Sequence, residues 1–250
     1  MSNYVRLLNN LESLKLPEVK AGLDAAVDAV NAGSMTVVDA LWSLTEKEVS
    51  ERQKRVDDVM VKVAHMPFHK TFSDFDFTFQ PQLCRDEIVG LGDLRFVESC
   101  ENVFFLGTPG TGKTHLAVAI GIAAAKSRYR TYFVTCNDLI ADLRRAASEN
   151  LLQKRLKFYY NYTVLIIDEV GFLPIEKKDS DLLFQLISMR YERRPTIITS
   201  NKGINHWPEL FGDAALANAM ADRILHHCKV VQIVGPSYRM KGKEELFKEP

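Results

Sequence analysis

In residues 1–66 the apolar positions recur three and four apart, the period of a helix with one buried face. Leu7, Leu8, Leu11 and Leu14 make a first stripe that Pro17 interrupts, and Val19, Leu23, Ala26, Val27 and Val30 make a second that ends at 31–33. Ser34 or Thr36 can cap a third helix carrying Val37, Val38, Leu41 and Leu44. The run Thr45-Glu46-Lys47-Glu48 reads as a capping box opening a fourth, charged helix to about Ala64. These residues predict a small all-helical N-terminal domain, a docking or assembly module or else a packing extension of the larger domain C-terminal to it.

The period changes at Pro67. Phe68, Phe72, Phe75, Phe77 and Phe79 crowd residues 67–80 with neither helical nor strand spacing. That density predicts an extended aromatic linker pinned onto the following domain, its rings either packing or lining a base pocket. Pro81 suits the first turn of a helix to about Gly90, and a second helix is expected from Asp93 to Cys100. Short apolar runs then alternate with helical stretches: Val103–Leu106, Thr131–Thr135, Val164–Asp168, Thr196–Ser200 and Val230–Ile233. Such alternation predicts an α/β domain over 67–250, with a five-stranded parallel sheet covered on both faces.

The first predicted strand runs into Gly107, Thr108, Pro109, Gly110, Thr111, Gly112, Lys113 and Thr114, and a helical pattern follows. The spacing G-x-x-x-x-G-K-[ST] between a strand and a helix is the phosphate loop. Its glycines let backbone N–H groups close on a polyphosphate at a helix N-terminus. Lys113 is placed to reach the β- and γ-phosphates, and the Thr114 hydroxyl to ligate Mg²⁺. The third strand delivers Asp168 and Glu169 to the sheet edge where open α/β sheets bind ligands. Asp168 is the candidate to hold Mg²⁺ and Glu169 the candidate base that polarises the attacking water. A whole strand between the two motifs marks the catalytic-glutamate branch of P-loop proteins, to which the AAA+ ATPases belong, with strand order 5-1-4-3-2. Asn201, ending the fourth strand, can hold the lytic water. Arg223 is the candidate guanidinium supplied to a neighbouring subunit's γ-phosphate, and Arg239 a second nucleotide-binding arginine, acting in cis.

Composition narrows the setting. Lys+Arg and Asp+Glu both total 32, so net charge says nothing global about nucleic acid. The cysteines at 84, 100, 136 and 228 form no C-x-x-C pair and read as reduced, mostly buried thiols. His226-His227-Cys228 is read as structural, because adjacent helical side chains diverge and no partner cluster is evident. No apolar run reaches the ~20 residues that span a membrane, and the N-terminus lacks a signal-peptide core, so a cytoplasmic location is expected.

Asn102–Leu106 with the loop through Ala117, Ile167-Asp168-Glu169, Ile187–Arg193, Thr199-Ser200-Asn201 and Asp222–His227 resemble the IstB/DnaC-type ATPases. The closing run Gly235-Pro-Ser-Tyr-Arg-Met-Lys241 is similar to IstB proteins in particular. Phe104-Phe105 stand where aliphatic residues are usual and Thr108 where Pro is common; neither change removes a catalytic group. The resemblance covers essentially the whole chain. It implies the helper ATPase of a bacterial insertion sequence, which uses ATP and Mg²⁺, binds double-stranded DNA, forms a homo-oligomer and recruits or activates a transposase. It also supports Lys113, Thr114, Asp168, Glu169, Asn201 and Arg223 in the roles above. In DNA-binding relatives the helices between the second strand and the acidic strand face the nucleic acid. Here that slot carries Arg144, Arg145, Lys154, Arg155 and Lys157, within a stretch from Lys126 to Lys157 that has eight basic and three acidic residues. A DnaC-type replicative helicase loader is the alternative, and a small-molecule P-loop kinase or an ATP-gated scaffold are more distant ones.

Overall fold

The computed structural model describes residues 2–172 and 175–241. Its contacts divide the chain into two units, one running to Val59 and the other starting at Met60.

The first unit is built from α1 (Asn3–Ser13), α2 (Pro17–Asn31) and α3 (Val37–Val63), whose last turn enters the second unit. Thr36, rather than Ser34, caps α3: its Oγ1 accepts from the Asp39 N–H at 3.1 Å. The two helices expected on either side of Thr45 are one. Thr45 bonds back to the Leu41 carbonyl at 2.7 Å, as a hydroxyl does inside a helix, so no capping box forms. Glu48 serves elsewhere: buried at 4% exposure, its Oε2 accepts from the Glu18 N–H at 2.7 Å. It thereby caps α2, whose own start at Leu16-Pro17 has no side-chain cap. Leu11, Val19 and Leu44 form the small core of this unit.

In the second unit residues 67–80 form a strap with two 3-10 turns, Phe72–Asp74 and Phe77–Phe79. The helix expected from Pro81 starts only at α4 (Arg85–Gly90), because 80–83 close a turn with the Leu83 N–H on the Gln80 carbonyl. The helix expected from Asp93 is split: Leu94 takes φ 61°, ending one 3-10 turn before α5 (Arg95–Glu98) begins.

Next come β1 (Asn102–Gly107), α6 (Lys113–Lys126), β2 (Thr131–Thr135), α7 (Cys136–Ser148), α8 (Leu152–Tyr160), β3 (Val164–Val170) and α9 (Lys177–Arg190). The described chain closes with β4 (Thr196–Ser200), α10 (Trp207–Phe211), α11 (Ala214–Leu225) and β5 (Cys228–Ile233). All strand pairs are parallel, in the order β2-β3-β4-β1-β5, the expected arrangement. One face of the sheet packs on α7 to α11 through Phe104, Leu143, Leu186, Phe211 and Met220. The other packs on α6, α4, α5 and the strap through Phe105, Leu116, Ile120 and Phe96, with Phe72, Phe75 and Phe77 against them. Arg190 is an unexpected fixture of this core. It is 1% exposed and donates to the carbonyls of Tyr159 (3.0 Å), Tyr162 (2.8 Å) and Pro195 (2.6 Å). Burial pushes its guanidinium down to about 9, and the fork ties the starts of β3 and β4 together.

Candidate nucleotide-binding site

Strand order brings the two motifs together. β1 pairs with β4 and β4 with β3, so the loop after β1 and the acids of β3 open on the same sheet edge. The loop needs its glycines: Gly110 and Gly112 have φ of 81° and 97°. A Cβ on Gly110 would lie 1.9 Å from Ser237 Oγ, and one on Gly112 2.5 Å from the Phe75 ring. The loop is thus clasped between the strap and the segment after β5, where the Tyr238 N–H also bonds the Gly110 carbonyl at 2.9 Å. Lys113 is held by the carbonyls of Gly107 and Thr108, both at 2.8 Å. Desolvation lowers its pKa, opposed by Asp168 and helped by Arg239.

At the end of the loop, Thr114 Oγ1 donates across to Asp168 of β3, 2.9 Å from Oδ1 and 3.1 Å from Oδ2. Thr199 donates to the same Oδ1 at 2.6 Å, and its hydroxyl oxygen accepts from the Glu169 N–H at 3.0 Å. Thr199 therefore ties the two carboxylate residues to β4. In the sequence Thr199 stands out only as part of a motif; its signal is the parallel register, which sets the end of β4 beside the end of β3. Glu169 has φ 60°, a conformation costing a non-glycine residue ~1–2 kcal/mol, and the β3–β4 register shifts between Ile167 and Val170. This bulge takes Glu169 out of the ladder and leaves it exposed on the cavity wall.

The cavity is about 470 Å³ and is lined by the loop from Pro109 to His115, Glu169, Asn201, Tyr238 and Arg239. The strap supplies much of the remaining wall, with Phe68, Phe75, Phe79 and Gln80 among the lining residues beside Phe133, Thr135 and Phe172, so the aromatic segment both packs and lines. His115 anchors it: Nε2 donates to the Thr71 carbonyl at 2.9 Å and the ring meets Phe75 edge-on. Burial lowers the His115 pKa, keeping the imidazole neutral near pH 7. Thr114 and Asp168 offer hard oxygen donors facing one another, which suits Mg²⁺.

The other sequence candidates lie apart from this cavity. Arg223 is half-buried on α11, donating to the Ala219 carbonyl at 2.9 Å and lying over the Phe184 ring. On α7 and α8, Arg144 is paired with Asp179, while Arg145 and Arg155 share Asp142. Lys154 and Lys157 are exposed. The histidine pair departs from expectation. His226 ends α11, so the rings of His226 and His227 come within 4.1 Å instead of diverging, and the Glu192 carboxylate lies 3.4 and 3.5 Å from them. Of the four free cysteines only Cys136 is buried, and burial lifts its thiol to about 12.

A phosphate loop, a facing Asp-Glu strand and a parallel sheet of this order define a P-loop nucleotide-binding protein of the AAA+ class. Solved structures agree: AMPPCP-bound DnaA from Aquifex aeolicus matches with a TM-score of 0.56 at 23% identity, over 74% of this chain and 56% of that one. The DnaC helicase loader matches with a TM-score of 0.54 at 25% identity, over 69% of this chain and 98% of that one. The sequence narrows the class further. The family model described as IstB-like ATP binding protein matches residues 9–246, and the chain belongs to that family. It is 48% identical to an insertion sequence IS232 ATP-binding protein of Bacillus thuringiensis subsp. berliner, over 96% of both chains. It is 42% identical to its IS5376 counterpart from Geobacillus stearothermophilus, over 92% of both.

Proposed function

We propose that this protein is the helper ATPase of an insertion sequence, hydrolysing Mg²⁺-ATP to control an oligomer on duplex DNA that recruits or activates a transposase in the cytoplasm. The observation that carries the reading is the bonded run Thr114–Asp168–Thr199–Glu169 facing the phosphate loop. In this reading Lys113 leaves the two loop carbonyls for the β- and γ-phosphates. Thr114 and Asp168 hold Mg²⁺, which when bound neutralises charge on the phosphates. Glu169, displaced by the bulge, takes the proton of the attacking water, and Asn201 orients that water. Arg239 acts on its own chain's nucleotide, since it lines the same cavity. Arg223 lies outside that cavity's lining, which favours action on a neighbouring copy. The insertion-sequence relatives support the transposition context.

For DNA, Lys154 and Lys157 lead the contact, while Arg144, Arg145 and Arg155 exchange their carboxylate partners for phosphates. Fluorescence titrations of duplex and single strand across salt, with ATP present, test this. Duplex is expected to bind more tightly, and Lys154→Ala with Lys157→Ala to flatten the salt slope by roughly 0.9 for each phosphate left without its lysine. A preference for single strand would instead favour the loader reading that the DnaC likeness suggests, and an unchanged slope would remove both lysines from the interface.

A further inference from the structure

Among the described residues, one group of three metal-ligating side chains stands outside the nucleotide cavity: Glu192, His226 and His227. Glu192 lies in the turn that follows α9, and the histidines at the end of α11. All three are exposed, yet their backbones are fixed. The His226 N–H bonds the Asp222 carbonyl at 2.9 Å, and the His227 carbonyl takes the Asn102 N–H of β1 at 2.7 Å. The turn holding Glu192 is closed by the Arg193 and Arg194 N–H groups on the Arg190 carbonyl, both at 2.9 Å. Cys228, the next residue, packs against the core instead and takes no part.

The separations suit a shared cation better than hydrogen-bonded pairs. Glu192 Oε1 is 3.4 Å from His226 Nδ1 and 3.5 Å from His227 Nε2, and the ligand atoms of the group all lie within 4.8 Å of one another. Such spacing is long for an N–H···O hydrogen bond. It matches the edge of a tetrahedron around a small ion, since ligands roughly 2.0–2.1 Å from the ion stand about 3.3–3.4 Å apart. We propose that Glu192, His226 and His227 form a site for a divalent transition-metal ion of the Zn²⁺ kind, with water completing its shell. Two imidazoles and one carboxylate favour Zn²⁺, Co²⁺ or Ni²⁺ over Mg²⁺ or Ca²⁺. The Tyr191 hydroxyl, 2.7 Å from His226 Nδ1, is the competitor that the ion displaces. Bound there, the ion joins the turn after α9 to the end of α11, the helix that carries Arg223 over the Phe184 ring of α9.

The test is Zn²⁺ titration of the full chain, free of any affinity tag and stripped of metal, against a chromophoric chelator. Excess Mg²⁺ is present to fill hard-oxygen sites. One Zn²⁺ per chain is expected, and Co²⁺ in its place is expected to show the visible bands of a nitrogen–oxygen site without thiolate charge transfer. His227→Asn and Glu192→Gln are each expected to weaken Zn²⁺ binding by at least about 10-fold, the least that losing even an outer partner of a metal ligand costs. His206→Asn, a histidine outside the group, is expected to leave it unchanged. All three positions are exposed, so melting curves without metal are expected to match that of the natural chain. Failure of the natural chain to take up Zn²⁺ overturns the proposal. So does a bound ion whose affinity survives both His227→Asn and Glu192→Gln, which places it elsewhere.

Discussion

At the residue scale, Thr199 shows how little separates a core threonine from a working one. It is 1% exposed, yet its hydroxyl joins Asp168 Oδ1 to the Glu169 N–H. Thr199→Val keeps the shape and removes both bonds, leaving the part-buried Glu169 N–H without its partner and Asp168 Oδ1 with only Thr114, at ~1–3 kcal/mol. ATP turnover is expected to fall at least about 10-fold, equivalent to roughly 1.4 kcal/mol of positioning, with ATP affinity changed much less. Thr199→Ser is expected to restore it. A Val variant with normal turnover would reduce Thr199 to packing. The glycines and Lys113 were legible in the sequence because their chemistry is local: each residue type follows from its neighbours along the chain. Thr199 was not, since its partners are some thirty positions away.

Among elements, the strap is the most conditional. Its Phe75 ring lies against Gly112, and its path is fixed by the bond from His115 Nε2 to Thr71. Desolvation holds the His115 pKa below the usual imidazole value, opposed chiefly by its bond to the Thr71 carbonyl and less by Asp74, with Lys70 pressing the same way as desolvation. A depressed folded-state value means that the stability gained by burying the neutral ring under the strap is complete above the unfolded pKa of ~6.5 and is lost as pH falls through the lower, folded one. The protonated ring keeps its donor to Thr71 but is costly to bury. Amide hydrogen exchange of residues 67–80, corrected for intrinsic rate, is therefore expected to quicken below about pH 6.5 in the natural chain. His115→Gln, which keeps a donor and does not titrate, is expected to give a flat profile. Parallel profiles in the two proteins would take the strap's pH dependence away from His115. The elements themselves were legible where period and length agree. The five strands follow from alternation, and their order from the AAA+ class that the insertion between the motifs marks, whereas the boundary at Thr45 misled because a capping-box pattern also fits a helix interior. Glu48 took a long-range role that no local pattern encodes.

For the whole molecule, the fold's achievement is convergence. Loop, acidic strand, strap and the segment after β5 come from distant parts of the chain and line one cavity. Membership in the IstB-like ATP-binding family accords with that cavity, and no described helix is long and apolar enough to cross a membrane. The central claim is that this cavity hydrolyses ATP through Glu169. Steady-state ATP turnover by the natural chain and by Glu169→Gln, at matched nucleotide occupancy and with duplex DNA present, tests it most directly. Turnover is expected to drop by about 10²- to 10⁴-fold in the variant while ATP binding persists, the scale of losing a general base. A Glu169→Gln protein that turns over ATP at the natural rate would contradict the account.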